Sequence, residues 1–205
     1  MSCLRNGLAV ALARVAAAAR AESLTENGAR VDVALKITKV GVLALFLLTV
    51  APLRALSAND TPLPASAMAD KVLVLKGERK LLLMKGNEVL KTYSLSLGGN
   101  PVGPKIMEGD RRTPEGSYVL DRHNAHSLYH RSIHISYPNA DDVARAKHFG
   151  VPTGGELYIH GLPNDYKGPT GQMGDWTEGC IAVTNAEIDE IWRVVADGTP
   201  IEIRP

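Results

Sequence analysis

The chain has 205 residues, 45% hydrophobic and 22% charged, which suits a globular domain with an extra segment and excludes wholesale disorder. Its 23 Lys and Arg against 22 Asp and Glu leave a net charge of +1, which gives no electrostatic reason for a nucleic-acid partner. With 19 Gly, 12 Pro and 5% aromatic residues it reads as strands and turns, and two cysteines, Cys3 and Cys180, exclude both a disulfide-rich scaffold and a multi-thiolate metal centre.

The first 35 residues are Ala-rich and dotted with Arg, and they read either as an extension from a start codon set too far upstream or as an amphipathic helix over Leu8 to Ala21. Residues 36–58 have the anatomy of an export signal: Lys36 and Lys39, an apolar run from Val40 to Ala51 broken only by Thr49, then Pro52, Arg54 and small residues to Ser57 and Ala58. The run is well short of the roughly 20 residues a stable membrane helix needs, so a cleaved signal is expected ahead of a permanent anchor. The expected location is the periplasm or cell envelope, with membrane contact only through this segment. Residues 59–70 read as a linker in which Ala65-Ser66-Ala67 offers a second cleavage pattern. From Asn59 onward there are 16 Lys and Arg against 19 Asp and Glu, net −3, and Cys180 is the one cysteine left. In an oxidising compartment such a residue is either buried inertly or used.

The domain proper is expected over 71–205. Val72 to Leu75, Lys80 to Met84 and Val89 to Leu97 read as a meander of strands separated by Gly77 and Gly86-Asn87. Gly98 to Thr113, dense in Gly, Pro and charge, is too long for a hairpin turn and is a candidate functional loop. Strands follow at Ser117 to Asp121, His130 to Tyr137 and Glu156 to His160. Asn139 to Phe149 reads as a short helix with Asn139 as its N-cap and Gly150 closing it, and a second helix runs from Ala186 to about Ala196, capped by Thr184 and Glu187 and ended by Gly198. Thr199 to Arg204 supplies a last strand. The fold class is mainly β (α+β), with two short accessory helices.

Chemistry concentrates in Tyr158-Ile159-His160-Gly161 and Trp176-Thr177-Glu178-Gly179-Cys180-Ile181. A histidine at a strand end and a cysteine after a glycine turn are both held on firm elements. An imidazole within reach draws the proton from a thiol and stabilises the thiolate, so His160 is the natural general base for a Cys180 nucleophile. Gly179 carries no side chain, which lets a carbonyl approach the backbone N–H groups beside Cys180 as an oxyanion hole.

This arrangement resembles the L,D-transpeptidase catalytic domain (YkuD-type), whose signature is His-Gly-x, a spacer, then Ser/Thr-His-Gly-Cys and an aliphatic residue. His160, Gly161, Thr177, Gly179, Cys180 and Ile181 match. Glu178 stands where many members have a second histidine and Ala182 where many have Arg or Asn. With the stretch Glu108 to Gly116 and Ser136-Tyr137-Pro138-Asn139, these departures are similar to the YafK-like branch. The resemblance covers about 71–205 and implies a β-sandwich that performs two-step acyl transfer on peptidoglycan stem peptides. Cys180 forms a thioester with diaminopimelate and an amine resolves it. The resemblance also implies that His160 is oriented by a backbone carbonyl at Gly161, and that no metal or organic cofactor takes part. A hydrolase cleaving diaminopimelate–lysine links to a lipoprotein is the alternative within the family, and a non-catalytic peptidoglycan-binding module is the alternative outside it. A papain-like hydrolase is disfavoured because there the cysteine precedes the histidine.

Arg131, Trp176, Thr177, Glu178 and Tyr137 are the candidate substrate contacts. Arg131 and Arg112 suit bidentate pairing with a carboxylate, although solvation is the better reading of Arg112. Glu178 reads equally as a loop carboxylate or a contact for a substrate amine, Trp176 as loop packing or an apolar wall, and Tyr137 as a strand-ending turn or a binding feature. His123, His126, His130 and His134 do not read as a metal site, since strand positions 130 and 134 lie about 13 Å apart.

Overall fold

The computed structural model describes residues 61–168 and 173–205. The expected extension over 1–35 and the expected signal over 36–58 lie outside the described residues.

Alternating apolar positions build the sheet. β1 (Lys71–Leu75), β2 (Lys80–Lys85) and β8 (Thr199–Arg204) each bury every second residue, the signature of a strand with one face on a core. With β3 (Glu88–Ser94), β4 (Gly116–Ser127), β5 (His130–Ile135), β6 (Leu157–His160) and β7 (Ile181–Ala182) they form one eight-stranded sheet in the order β3-β2-β1-β8-β4-β5-β6-β7. The last strand is thus inserted in the middle, parallel to β1 and antiparallel to β4. Beyond β3 the chain reaches the opposite edge: the Ser96 N–H donates to the Ala182 carbonyl at 2.8 Å and the Ala182 N–H to the Ser96 carbonyl at 2.9 Å. The first and last strands of the sheet therefore meet, and a single rolled sheet encloses the core. Val72, Val74, Ile133, Ile159 and Ile201 converge there with Ile188 and Ile191 from a helix.

Two helices complete the mainly β architecture. α1 (Ala140–Phe149) starts at Asn139, whose side chain accepts from the Asp141 and Asp142 N–H groups, and stops at Gly150 in the left-handed conformation, φ 67°. α2 (Asn185–Val194) starts with a reciprocal box between Thr184 and Glu187. It ends before the expected stop at Gly198, because Val195 is extended and bridges to Ala69. Gly198, at φ 91°, makes the turn into β8 instead. β4 is longer than the apolar run suggests. Its polar second half is held by the hairpin with β5, in the register Arg122↔His134 and Asn124↔Ser132. Ahead of β1, Leu63 and Ala67 pack on the core, and Arg193 of α2 donates to the Leu63 and Pro64 carbonyls, each at 2.9 Å.

The long 98–113 segment has no regular structure and is held by buried charge. Lys76, almost fully buried at the end of β1, donates to the Gly103 carbonyl at 2.7 Å, the Thr113 carbonyl at 2.9 Å and Glu115 at 2.8 Å, which uses all three ammonium hydrogens. Burial lowers its pKa, against the opposing pull of Glu115. Asp110 accepts from Lys105 at 2.7 Å and from the Ile106, Met107 and Arg112 N–H groups at 2.7, 3.1 and 3.0 Å. Burial alone would raise its pKa, yet these donors together hold it below the usual carboxylate value. Asp110→Ala strands the buried Lys105 ammonium and three N–H groups. The expected cost is about 3–5 kcal/mol, read as a lowered urea midpoint; an unchanged midpoint would mean that the loop is held by something else.

Candidate active site

Parallel pairing of β6 with β7 brings the two motifs together. Ile159 is opposite Ile181 and His160 opposite Ala182, on strands about 4.8 Å apart, and Cys180 immediately precedes β7. His160 is buried, and its Nδ1 lies 2.7 Å from the Gly161 carbonyl oxygen. A carbonyl only accepts, so Nδ1 carries the hydrogen and Nε2 keeps its lone pair. Tyr129 packs on the imidazole at 4.6 Å between ring centroids and Trp176 meets it edge-on at 5.7 Å. Burial pushes the imidazole pKa down from 6.5 to about 4, with the Gly161 hydrogen bond acting weakly in the other direction. The ring is a neutral base at neutral pH.

The turn before Cys180 is tied to itself and to β3's extension. The buried Thr177 hydroxyl donates to the Cys180 carbonyl at 2.7 Å and accepts from the Gly179 N–H at 3.2 Å. The Thr177 N–H donates to the Leu97 carbonyl at 3.1 Å, and the Thr177 carbonyl accepts from the Gly99 N–H at 2.9 Å. Gly179 sits at φ 125°, and a Cβ there would lie 2.6 Å from the Arg112 carbonyl oxygen. The glycine is required by conformation and by space. Its N–H, assigned to an oxyanion hole on sequence, is committed to Thr177. Thr177, a candidate substrate contact on sequence, has its hydroxyl engaged inside the turn.

Cys180 is fully buried and is disulfide-bonded in this structure, whereas the sequence reading takes it as a thiol; Cys3, the other cysteine of the chain, lies outside the described residues. Nucleophilic chemistry belongs to the reduced form. Beside β7 a cleft of about 120 Å³ is lined by Ser96, Leu162, Met173, Trp176, Ala182 and Thr184. Trp176 is thus both a wall of the cleft and a packing partner of the imidazole.

Other candidates fall elsewhere. Arg131 precedes Ser132, the partner of His160, so its side chain leaves the opposite face of the sheet. There it lies 3.2 Å from Asp189 and over the Trp192 ring at 5.3 Å, held by α2 and away from His160. Tyr137 is a core residue whose hydroxyl donates to the Thr153 carbonyl at 3.1 Å; its burial takes it out of reach of a substrate. Glu178 lies 3.3 Å from Arg111. His123, His130 and His134 pair with three different carboxylates, Asp197, Asp189 and Asp121. Sequence reasoning missed Tyr129, which no motif marks, and Arg79, which forks onto Asp175, although Asp175 itself reads from the sequence as a residue that shapes the loop. In that fork Asp175 takes Arg79 Nη2 at 2.7 Å and the Leu97 N–H at 2.9 Å, anchoring the segment that leads to Cys180. A positively charged residue in the β1–β2 turn and an acid before Trp176 were the available signals.

Residues 69–203 match the model of the L,D-transpeptidase catalytic domain, YkuD. A protein of Escherichia coli K12 named putative L,D-transpeptidase YafK is 34% identical over 131 residues, covering 60% of this chain and 46% of that protein. The chain thus spans about half the length of the curated relatives it matches. Among solved structures, the helical cell shape determining protein Pgp2 of Campylobacter jejuni is 27% identical with a TM-score of 0.51, over 65% of this chain and 46% of that one. A single-substitution variant of Pgp2 gives 25% and 0.52, over 71% and 50%.

The buried imidazole has a measurable signature. Between about pH 4 and 6.5 the unfolded chain binds a proton at residue 160 that the folded chain refuses. This contribution to stability is complete above 6.5 and is lost as pH falls toward about 4. Urea midpoints of the wild type are expected to fall more steeply over that window than those of His160→Gln. Parallel curves would show that the ring titrates normally.

Proposed function

Because the chain belongs to the L,D-transpeptidase catalytic domain family, we propose that it is an exported cysteine acyltransferase acting on peptidoglycan stem peptides in the cell envelope, with residues 36–58 as its export signal and 71–205 as its catalytic domain. The observation that carries the reading is the imidazole of His160, neutral and held through Nδ1 by the Gly161 carbonyl, on the strand beside Cys180. The relatives agree in kind: one is named a putative L,D-transpeptidase and another a determinant of helical cell shape, a property set by the wall.

Once Cys180 is reduced, His160 Nε2 accepts the Sγ proton, and the thiolate adds to the diaminopimelate carbonyl at its bond to the terminal D-Ala. As the tetrahedral intermediate collapses the C–N bond breaks, and the imidazolium returns the proton to the departing amine, leaving a thioester. An amine of a second stem peptide then attacks. His160 takes its proton and delivers it to the leaving sulfur, restoring the thiol with one peptide bond exchanged for another. Water in place of the amine makes the same steps a hydrolysis. Gly179 supports this chemistry by letting the turn pack on the Arg112 carbonyl, Thr177 by fixing the turn, and Trp176 by walling the cleft. No step calls for a metal or an organic cofactor.

Reduced protein incubated with a disaccharide-tetrapeptide is expected to gain, on Cys180, the mass of that compound less D-Ala. Cys180→Ala should gain nothing, and His160→Ala should acylate about 10²–10⁴ times more slowly. Because the imidazole titrates near 4, acylation should hold down to mildly acidic pH and fall with a midpoint of about 4. A reduced wild type that binds the peptide without ever forming an adduct would make the protein a binding module, and a product released only to water would make it a hydrolase.

A further inference from the structure

Arg111 is accommodated beside the cysteine turn at the expense of its surroundings. Its backbone lies at φ 59°, a region that side-chain-bearing residues rarely adopt. Two glycines make room for it. A Cβ at Gly98 would lie 2.1 Å from the Arg111 carbonyl oxygen and 3.0 Å from the Gly179 Cα, and one at Gly99 would lie 2.2 Å from Arg111 Nη2 and 2.5 Å from its Cζ. The Arg111 carbonyl therefore packs against Gly98, which itself lies against Gly179, the residue that precedes Cys180, and the guanidinium lies against Gly99.

That guanidinium has work left to do. Arg79, Arg112, Arg145 and Arg193 each donate to named acceptors. Among the described residues none accepts a hydrogen bond from Arg111. Its Nε is buried without one, 3.3 Å from Glu178 Oε1 in a charge contact of poor hydrogen-bond geometry, while the side chain as a whole is 38% exposed. Glu178 stands against one edge of the plane, which leaves the two Nη groups of the other edge as an unused fork. A planar pair of donors in that state matches a carboxylate.

We propose that Arg111 is the carboxylate anchor of the acyl-donor peptide, and that Glu178 is a positioning residue that holds the guanidinium by its Nε edge. The inference rests on the acyl-transfer reading above and adds to it the group by which the donor is recognised. A stem tetrapeptide offers two free carboxylates near the bond to be cut: that of the terminal D-Ala and that at the far centre of diaminopimelate.

The test compares three donors on reduced protein: the tetrapeptide acid, its C-terminal carboxamide, and the peptide amidated at the far diaminopimelate carboxylate. The readout is the second-order rate of Cys180 acylation by intact-protein mass spectrometry. The wild type is expected to prefer the acid over one of the two amides by at least about tenfold, and that amide identifies the carboxylate. In Arg111→Asn, whose side chain tolerates the left-handed backbone, the preference should fall to near unity. In Arg111→Lys, which keeps the charge and loses the fork, it should be intermediate. Iodoacetamide labelling of Cys180 and the urea midpoint report whether each variant is folded; if the Asn variant is not, the Lys variant decides. An undiminished preference in a folded variant, or a wild type indifferent to both amides, overturns the proposal and leaves acyl transfer standing. A wild type acylated by none of the three donors brings down the acyl-transfer reading, and this one with it.

Discussion

The reciprocal hydrogen bonds between Ser96 and Ala182 close the sheet, and the site depends on that closure. β7 has only two residues, too few to hold a position by pairing on one side. With β6 on one flank and the extension of β3 on the other, it is fixed from both directions. Cys180 inherits its place from that strand. The histidine comes from β6, so one short parallel pairing sets the spacing of the two motifs.

Around this junction the ungoverned parts of the backbone are held by charge. Lys76, the Lys105–Asp110 pair and the Arg79–Asp175 fork sit at the two ends and the middle of the irregular segments that flank the cysteine turn. Lys76 and the Lys105–Asp110 pair are buried, the Arg79–Asp175 fork only partly; buried ions cost free energy to desolvate, and one partner alone is worse than none. Such pairs therefore select a single arrangement more sharply than apolar contacts, which tolerate sliding. Gly98 and Gly179 have a related part: they let stretches of main chain approach to distances at which no Cβ fits, and Gly99 gives the same close approach to the Arg111 guanidinium. Together these features make the turn before Cys180 a rigid object without regular secondary structure.

The same packing places His160 among aromatic rings, and this decides its acid–base character. Tyr129 and Trp176 exclude water and offer no charge, so the imidazole stays neutral far into the acid range. The Gly161 carbonyl fixes which nitrogen bears the hydrogen but opposes the shift only weakly. A base of this kind does not need a carboxylate to orient it.

Much of this was legible in the amino-acid sequence, because it rests on local rules. The period-two alternation of β1, β2 and β8, the Asn139 and Thr184 caps and the left-handed Gly150 are dictated by residues a few positions apart, and the His160-Gly161 and Thr177-to-Ile181 motifs are contiguous. What it could not disclose depends on partners distant in the chain. β7 is too short to carry a pattern, and the polar half of β4 is a strand only because β5 pairs with it. Arg131 looked available until its sheet face was assigned, since a strand residue's neighbours are chosen by register and not by composition, and Tyr137, just beyond β5, until its burial in the core was seen. Arg111 lies in the Glu108-to-Gly116 stretch, but nothing in that stretch singles it out from Arg112. Its significance arises where three loops meet, and only the tertiary structure brings them there.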